Sequence, residues 1–156
     1  MMQLPIALQT RGDLDEVLIQ AVSMNASDVH FSSGLRLSVR QHGVIKPMSE
    51  RSISMTELSS LLVASQDENT SCLSIVNSGE DMDFAYVCKT LHEDEILRFR
   101  VNASSKQSSG KNGLSIVFRA INSHPPCVTD LGVESDIVNC MTNMTKGLAI
   151  VAGPTG

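Results

Sequence analysis

Two stretches in the second half of the chain alternate apolar and polar residues with a period of two. Leu97, Phe99, Val101 and Ala103 occupy every second position of one, and Leu114, Ile116, Phe118 and Ala120 of the other. In a strand, successive side chains point to opposite faces, so each stretch reads as a half-buried strand. The segment from Ser104 to Gly113, rich in Ser, Lys and Gly, is read as the loop between them. Antiparallel pairing of Leu97 with Ala120, Phe99 with Phe118, Val101 with Ile116 and Ala103 with Leu114 gives one wholly apolar face. The other face then collects Arg98, Arg100 and Arg119, with Arg98 opposite Arg119 and Arg100 one pleat away.

The remaining pattern fixes the fold class. Asp13 and Glu16 precede a helical spacing of Leu14, Val17, Leu18, Ala21 and Val22, a capped helix ending near Asn25. Strands are predicted around Val29 and Phe31 and over Leu35, Leu37 and Val39, turning at Ser33-Gly34. Val44 and Ile45 resume after Gly43, and Pro47 is expected to close the strand. Ser54 and Glu57 form a capping box ahead of Leu58, Leu61 and Leu62, and a short helix is read over residues 72 to 78. Met82, Phe84, Tyr86 and Cys88 alternate as another strand. Segregated helices and strands predict α+β, an antiparallel sheet with helices on one face.

His124-Pro125-Pro126 stops the sheet pattern and marks a domain boundary. A modest helix follows, roughly Ser135 to Thr142, whose Ile137, Val138 and Met141 share one side; Met141 and Met144 read as packing residues. Leu148 to Ala152 is an uninterrupted apolar run, the pattern of a strand buried on both faces of a parallel sheet. These 156 residues hold no partner for such a sheet, so the run is expected to be frayed or packed opportunistically.

Composition removes several function classes. Hydrophobic residues make up 42%, which supports a packed core, and the net charge of −5 gives no polyanion footprint, so no direct nucleic-acid contact is predicted. Aromatic residues are only 3%, too few for a base-stacking platform. Four cysteines without a CxxC pair and four histidines without HxxxH spacing predict free thiols in a reducing cytoplasm and no metal site. No window approaches the ~20 apolar residues of a membrane span, so membrane association would be peripheral.

Two features carry chemistry. Gly153-Pro154-Thr155-Gly156 follows the apolar run and matches the first half of the phosphate loop G-x-x-x-x-G-K-[ST]; the same four residues also fit an ordinary turn. The arginine patch either meets internal carboxylates, for which Glu80, Asp81, Asp83 and the run Glu93 to Glu95 are available, or awaits a phosphate, which guanidinium forks bind in bidentate fashion. Glu93 to Glu95 reads as a solvated hairpin tip, Asp81 and Asp83 lack a general-acid partner, and His30 reads as a surface or edge histidine.

Taken in order, Ala26-Ser27-Asp28-Val29-His30, Val39-Arg40-Gln41-His42-Gly43, Asp83-Phe84, Arg98-Phe99-Arg100-Val101-Asn102, Phe118-Arg119, Leu131-Gly132 and Gly147-Leu148 leading to Gly153-Pro154-Thr155-Gly156 resemble the N-terminal region of type II/IV secretion (traffic) ATPases, especially the PilT, DotB and TraJ-like branch. The resemblance runs from about Leu14 to Gly156 and implies a PAS-like N-terminal domain (residues 1 to 123), a linker (124 to 133) and the start of a truncated RecA-like ATPase domain (134 to 156). It further implies a hexamer, ATP and Mg2+ in the full-length protein, and a cytoplasmic location peripheral to the inner membrane, at secretion, conjugation or pilus machinery. Arg100 and Arg119, with Arg98 as a third, would reach the nucleotide phosphates across a composite interface. The phosphate-loop match stops before its lysine, so this chain is not expected to hydrolyse ATP alone. Gln41 and His42 replace the usual acidic residue before the glycine, which leaves that turn's chemistry open. The alternative is a non-enzymatic PAS-like sensing or interaction module.

Overall fold

Helix α1 (Arg11–Ser23) starts earlier than its spacing predicts, because Thr10, not Asp13, is the cap. The Thr10 hydroxyl accepts from the Asp13 N–H, and the Asp13 carboxylate accepts from the Thr10 N–H at 2.8 Å. Two of the helix's open donors are thereby satisfied. The computed structural model describes residues 7–89, 96–108, 111–121 and 127–153. The expected hairpin tip Glu93 to Glu95, the His124-Pro125-Pro126 stop, and Pro154, Thr155 and Gly156 lie outside the described residues.

The strands are β1 (Asp28–Ser32), β2 (Arg36–Gln41), β3 (Val44–Ser52), β4 (Met82–Lys89), β5 (Ile96–Ser108) and β6 (Lys111–Ile121). They form one antiparallel sheet in the order β3-β2-β1-β6-β5-β4, so the fold is α+β as the segregated pattern predicts. With the earlier start of α1, three of the expected details differ. Pro47 does not end its strand: β3 runs through it to Ser52, with a register shift between Arg36 and Ser38. Proline is tolerated there because β3 is the sheet's edge, where a missing N–H leaves no ladder bond unmade. The β2–β3 turn is His42-Gly43 with φ of 49° and 78°, the doubly positive geometry that glycine adopts freely and that suits a two-residue hairpin.

The third difference is the β5–β6 register. Arg100 pairs with Arg119 and Phe99 with Ala120, two residues away from the expected alignment, and pairing continues through what was read as a loop to Ser108 opposite Lys111. The ladder from Arg98 opposite Ile121 to Ser108 opposite Lys111 sets this hairpin's register. A slip of two leaves every side chain on its predicted face and changes only its neighbour.

The apolar face is covered by α1, α2 (Met55–Ser65) and α3 (Ser71–Asn77). Phe118 lies at its centre, with Phe31, Tyr86 and Phe99 edge-on at ring separations of 5.5, 5.8 and 6.2 Å. Edge-to-face packing of this kind adds about 0.5–1.5 kcal/mol per pair to the burial itself. Helix α2 carries the expected capping box, and its Glu57 carboxylate also accepts the Leu8 N–H at 3.0 Å and pairs with Arg51 at 2.7 Å. Burial would raise the pKa of Glu57, but Arg51, the Ser54 and Leu8 N–H groups and the Ser54 hydroxyl together hold it down at about 2.

The chain divides into two compact units, Met1–Ser123 and His124–Gly156. In the second, a 3-10 turn (Val128–Leu131) precedes α4 (Ser135–Thr142), which buries no residue. Leu148, Ile150 and Val151 are 80%, 78% and 84% exposed and pair in no strand among the described residues.

Candidate functional site

The sheet face that no helix of the first unit covers brings four arginines together. Parity along β5 places Arg98, Arg100 and Asn102 on this face, and β6 adds Val117 and Arg119. Arg119 is also opposite Asp28 of β1, which in turn is opposite Arg40 of β2. One row across four strands therefore reads Arg100, Arg119, Asp28, Arg40. Asp83 of β4 sits opposite Asn102 in the next row. Asp83, Arg100, Asn102, Val117 and Arg119 line an open recess of about 360 Å³.

The electrostatics of the row are uneven. Asp28 is nearly buried, with 4% of its side chain exposed, and Arg119 donates its Nε–H to Oδ1 at 2.8 Å. The other oxygen, Oδ2, accepts from the Ser27 hydroxyl at 2.8 Å and lies 3.3 Å from Arg40 Nε. Burial on its own would raise the Asp28 pKa; the hydrogen bonds from Arg119 and Ser27 and the Arg119 charge outweigh it and hold the carboxyl below its ordinary value. The same hydrogen bond raises Arg119. Arg100 is different: its Nη2 is 3.7 Å from Asp83 Oδ1, and the two side chains are 71% and 55% exposed. Arg98 is exposed, lies outside the recess, and has no carboxylate partner among the described residues.

Internal carboxylates therefore meet part of the patch. Of those weighed from the sequence, Asp83 approaches Arg100 loosely, while the one that holds Arg119 is Asp28. Among the described residues four guanidiniums face two carboxylates there, a positive surplus. The sequence reading missed the roles of Asp28 and Arg40. Alternation in Ser27-Asp28-Val29-His30 puts Asp28 on a polar face, but nothing local says that β1 adds to β6 ninety residues away. His30, next on that face, has a buried Nε2 with no hydrogen-bond partner among the described residues; burial lowers its pKa, Asp28 opposes this, and the charges of Arg40 and Arg119 lower it further.

Chemically, such a recess suits an anion with several oxygens. Guanidinium forks match phosphate geometry, and a mostly exposed Arg100 can rearrange toward one at little expense. Among the described residues no group of His, Cys, Asp and Glu side chains is placed to hold a metal ion, and no helix is long and apolar enough to cross a membrane. Of the phosphate-loop match, Gly153 alone is described; it is exposed and outside any strand.

In fold, this α+β domain, a six-stranded antiparallel sheet with helices on one face, is similar to the N-terminal domains of the ATPases DotB and PilT. The structure aligns with the ATPase DotB of Legionella pneumophila at a TM-score of 0.75 and 25% identity, covering 90% of this chain and 38% of that one. DotB of Yersinia pseudotuberculosis aligns at 0.74 and 22%, covering 88% and 37%. The pilus retraction motor PilT with bound ADP aligns at 0.58 and 18%, covering 83% and 35%, a likeness of fold. In sequence, the type IV pilus retraction ATPase PilT of Pseudomonas aeruginosa is 27% identical over 147 residues, 92% of this chain and 38% of the relative. No protein-family model matches the chain. Homology to the PilT and DotB branch of the type II/IV secretion ATPases thus extends over most of this chain, which spans little more than a third of the length of these relatives.

Proposed function

We propose that this chain is the N-terminal portion of a secretion, conjugation or pilus ATPase, and that its arginine face supplies Arg100 and Arg119 to the phosphates of a nucleotide held by a motor domain. The observation that carries this reading is the recess lined by Arg100 and Arg119, with both guanidiniums largely exposed on a sheet face that no helix of the first unit covers. The relationship to ATPases supports it, and one structural relative holds ADP. Arg98, one pleat outside the recess, is the third cation of the patch. Gly153-Pro154-Thr155-Gly156 is read as the first half of the phosphate loop.

The donors present fit phosphate oxygens. Bound ATP would supply the phosphoryl group and Mg2+ would neutralise part of its charge; this domain's residues add positive charge where negative charge spreads over the transferred group. A guanidinium supplied from a separate domain is worth about 10³ to 10⁵ in rate. Domain position then controls turnover, and a hexameric ring of such subunits, docked peripherally on the inner-membrane machinery, converts hydrolysis into domain movement. The test is Arg100→Ala in the full-length ATPase carrying this domain. The expected result is a large fall in kcat with little change in nucleotide affinity; equal losses in both would show a ground-state contact only.

A further inference from the structure

The row of charges across β5, β6, β1 and β2 gives Asp28 a role of its own. It is held in place from behind: the Ser27 carbonyl accepts the Ala120 N–H at 3.0 Å, the Ser27 N–H donates to the Arg40 carbonyl at 2.9 Å, and the Ser27 hydroxyl donates to Asp28 Oδ2 at 2.8 Å. Arg40, whose Nη1 donates to the Gly43 carbonyl at 3.3 Å, flanks the same oxygen. Oδ1 is left to Arg119 alone among the described residues, and it engages the Nε–H, on the stem side of the guanidinium. The Asp28 side chain is 4% exposed and the Arg119 side chain 69%, so the anchor lies within the sheet face and the guanidinium rises from it.

We propose that Asp28 is a positioning residue for Arg119: it fixes the guanidinium by Nε so that the Nη1 and Nη2 donors face the nucleotide phosphates. The inference rests on the reading of Arg119 given above. A carboxylate that competed with phosphate would take the two-pronged edge of the fork; this one takes a single donor. An arginine carries a large rotamer entropy, and holding its stem before the anion arrives removes much of that loss from the binding step. Arg100, paired loosely at 3.7 Å, has no such anchor and stays adjustable. The two arginines of the recess therefore differ in kind, one preset and one mobile.

Two measurements test this. In this chain, the Nε–H of Arg119 is expected to exchange with solvent markedly more slowly than that of Arg98, and Asp28→Asn is expected to abolish the difference. Equal rates in the unsubstituted chain overturn the proposal without recourse to any variant. In the full-length ATPase, Asp28→Asn, which keeps the shape and removes the charge, is expected to lower kcat by about 10²-fold, as small misplacements of catalytic groups do, with KM nearly unchanged. Added to Arg119→Ala it should lower kcat no further, whereas added to Arg100→Ala the losses should multiply. If Arg119→Ala slows turnover but Asp28→Asn does not, positioning fails and the catalytic reading stands. If neither Arg119→Ala nor Arg100→Ala slows turnover, the catalytic reading itself fails, and the proposal with it.

Discussion

Removing either recess arginine takes away one positive charge, yet the two losses should weigh very differently on the fold. Arg100 pairs with Asp83 at 3.7 Å with both ends more than half exposed, a class of ion pair worth at most about 0.5 kcal/mol here once screening is counted. Its removal also relieves a like-charge pairing with Arg119 across the strands, worth a few tenths of a kcal/mol or more. Arg100→Ala should thus be near neutral. Arg119 donates at 2.8 Å to a carboxylate that is 4% exposed, and hydrogen bonds to charged groups contribute about 1.5–3 kcal/mol. Arg119 is itself 69% exposed and Asp28 keeps Ser27 and Arg40, so the lower part of that range applies, about 1–2 kcal/mol after screening. At about 4 °C per kcal/mol for a unit of this size, Arg119→Ala should lower Tm by about 4–8 °C and Arg100→Ala by under about 2 °C. Thermal unfolding of this chain followed by circular dichroism reads both. Equal losses, or a larger loss at Arg100, would refute the assignment of Asp28 as the buried anchor. If the asymmetry holds, Arg100→Ala is the cleaner probe of catalysis.

Other expectations concern the scaffold. The Glu57 carboxyl is depressed from 4.5 to about 2, so its contribution is complete above pH 4.5 and is lost as pH falls toward 2, where the unfolded chain binds the extra proton; the shift corresponds to about 3 kcal/mol. Glu57→Gln should therefore destabilise the chain at pH 7 and flatten the acid limb of its stability curve, and urea titrations between pH 2 and 7 that show parallel limbs would contradict this. Gly113 is packed so closely that an added Cβ would lie 2.7 Å from Ser33 Oγ and 3.2 Å from the Lys106 carbonyl oxygen. Gly113→Ala should cost about 1–3 kcal/mol, as overpacking does, and part of this should return in the double variant with Ser33→Ala; chemical denaturation measures both.

Faces were legible in the sequence and partners were not. Alternation placed Phe99, Val101, Ile116 and Phe118 inward and Arg98, Arg100 and Arg119 outward, because a period of two depends only on the chain's own pleat. Which arginine stands opposite Arg119 depends on where the hairpin turns, and the run of small polar residues between Ser104 and Gly113 offered several places. A register read two residues off put Arg98 where Arg100 belongs. Pro47 misled for a related reason: proline forbids a central strand, but only the assembled strand order reveals that β3 is an edge. Asp28 was out of reach on both counts, since its contact with Arg119 crosses the longest-range pairing of the sheet.

That same pairing explains why the arginine patch is not simply a solvated surface. If each guanidinium had its own exposed carboxylate, the face would be neutral and its pairs interchangeable. Instead, one carboxylate is withdrawn into the sheet face between Arg119 and Arg40, the other is loosely attached to Arg100, and Arg98 has none among the described residues. Concentrating the fixed negative charge beneath the row leaves the outer layer of the face cationic while keeping Arg119 in one orientation. Arg100 and Arg119 stand opposite each other as like charges, so the proposed anion, on entering the recess, would relieve that repulsion as well as form new bonds. Inorganic phosphate or pyrophosphate added to this chain should accordingly raise its melting temperature, and the rise should vanish in Arg100→Ala; a rise that survives the substitution would place the anion elsewhere.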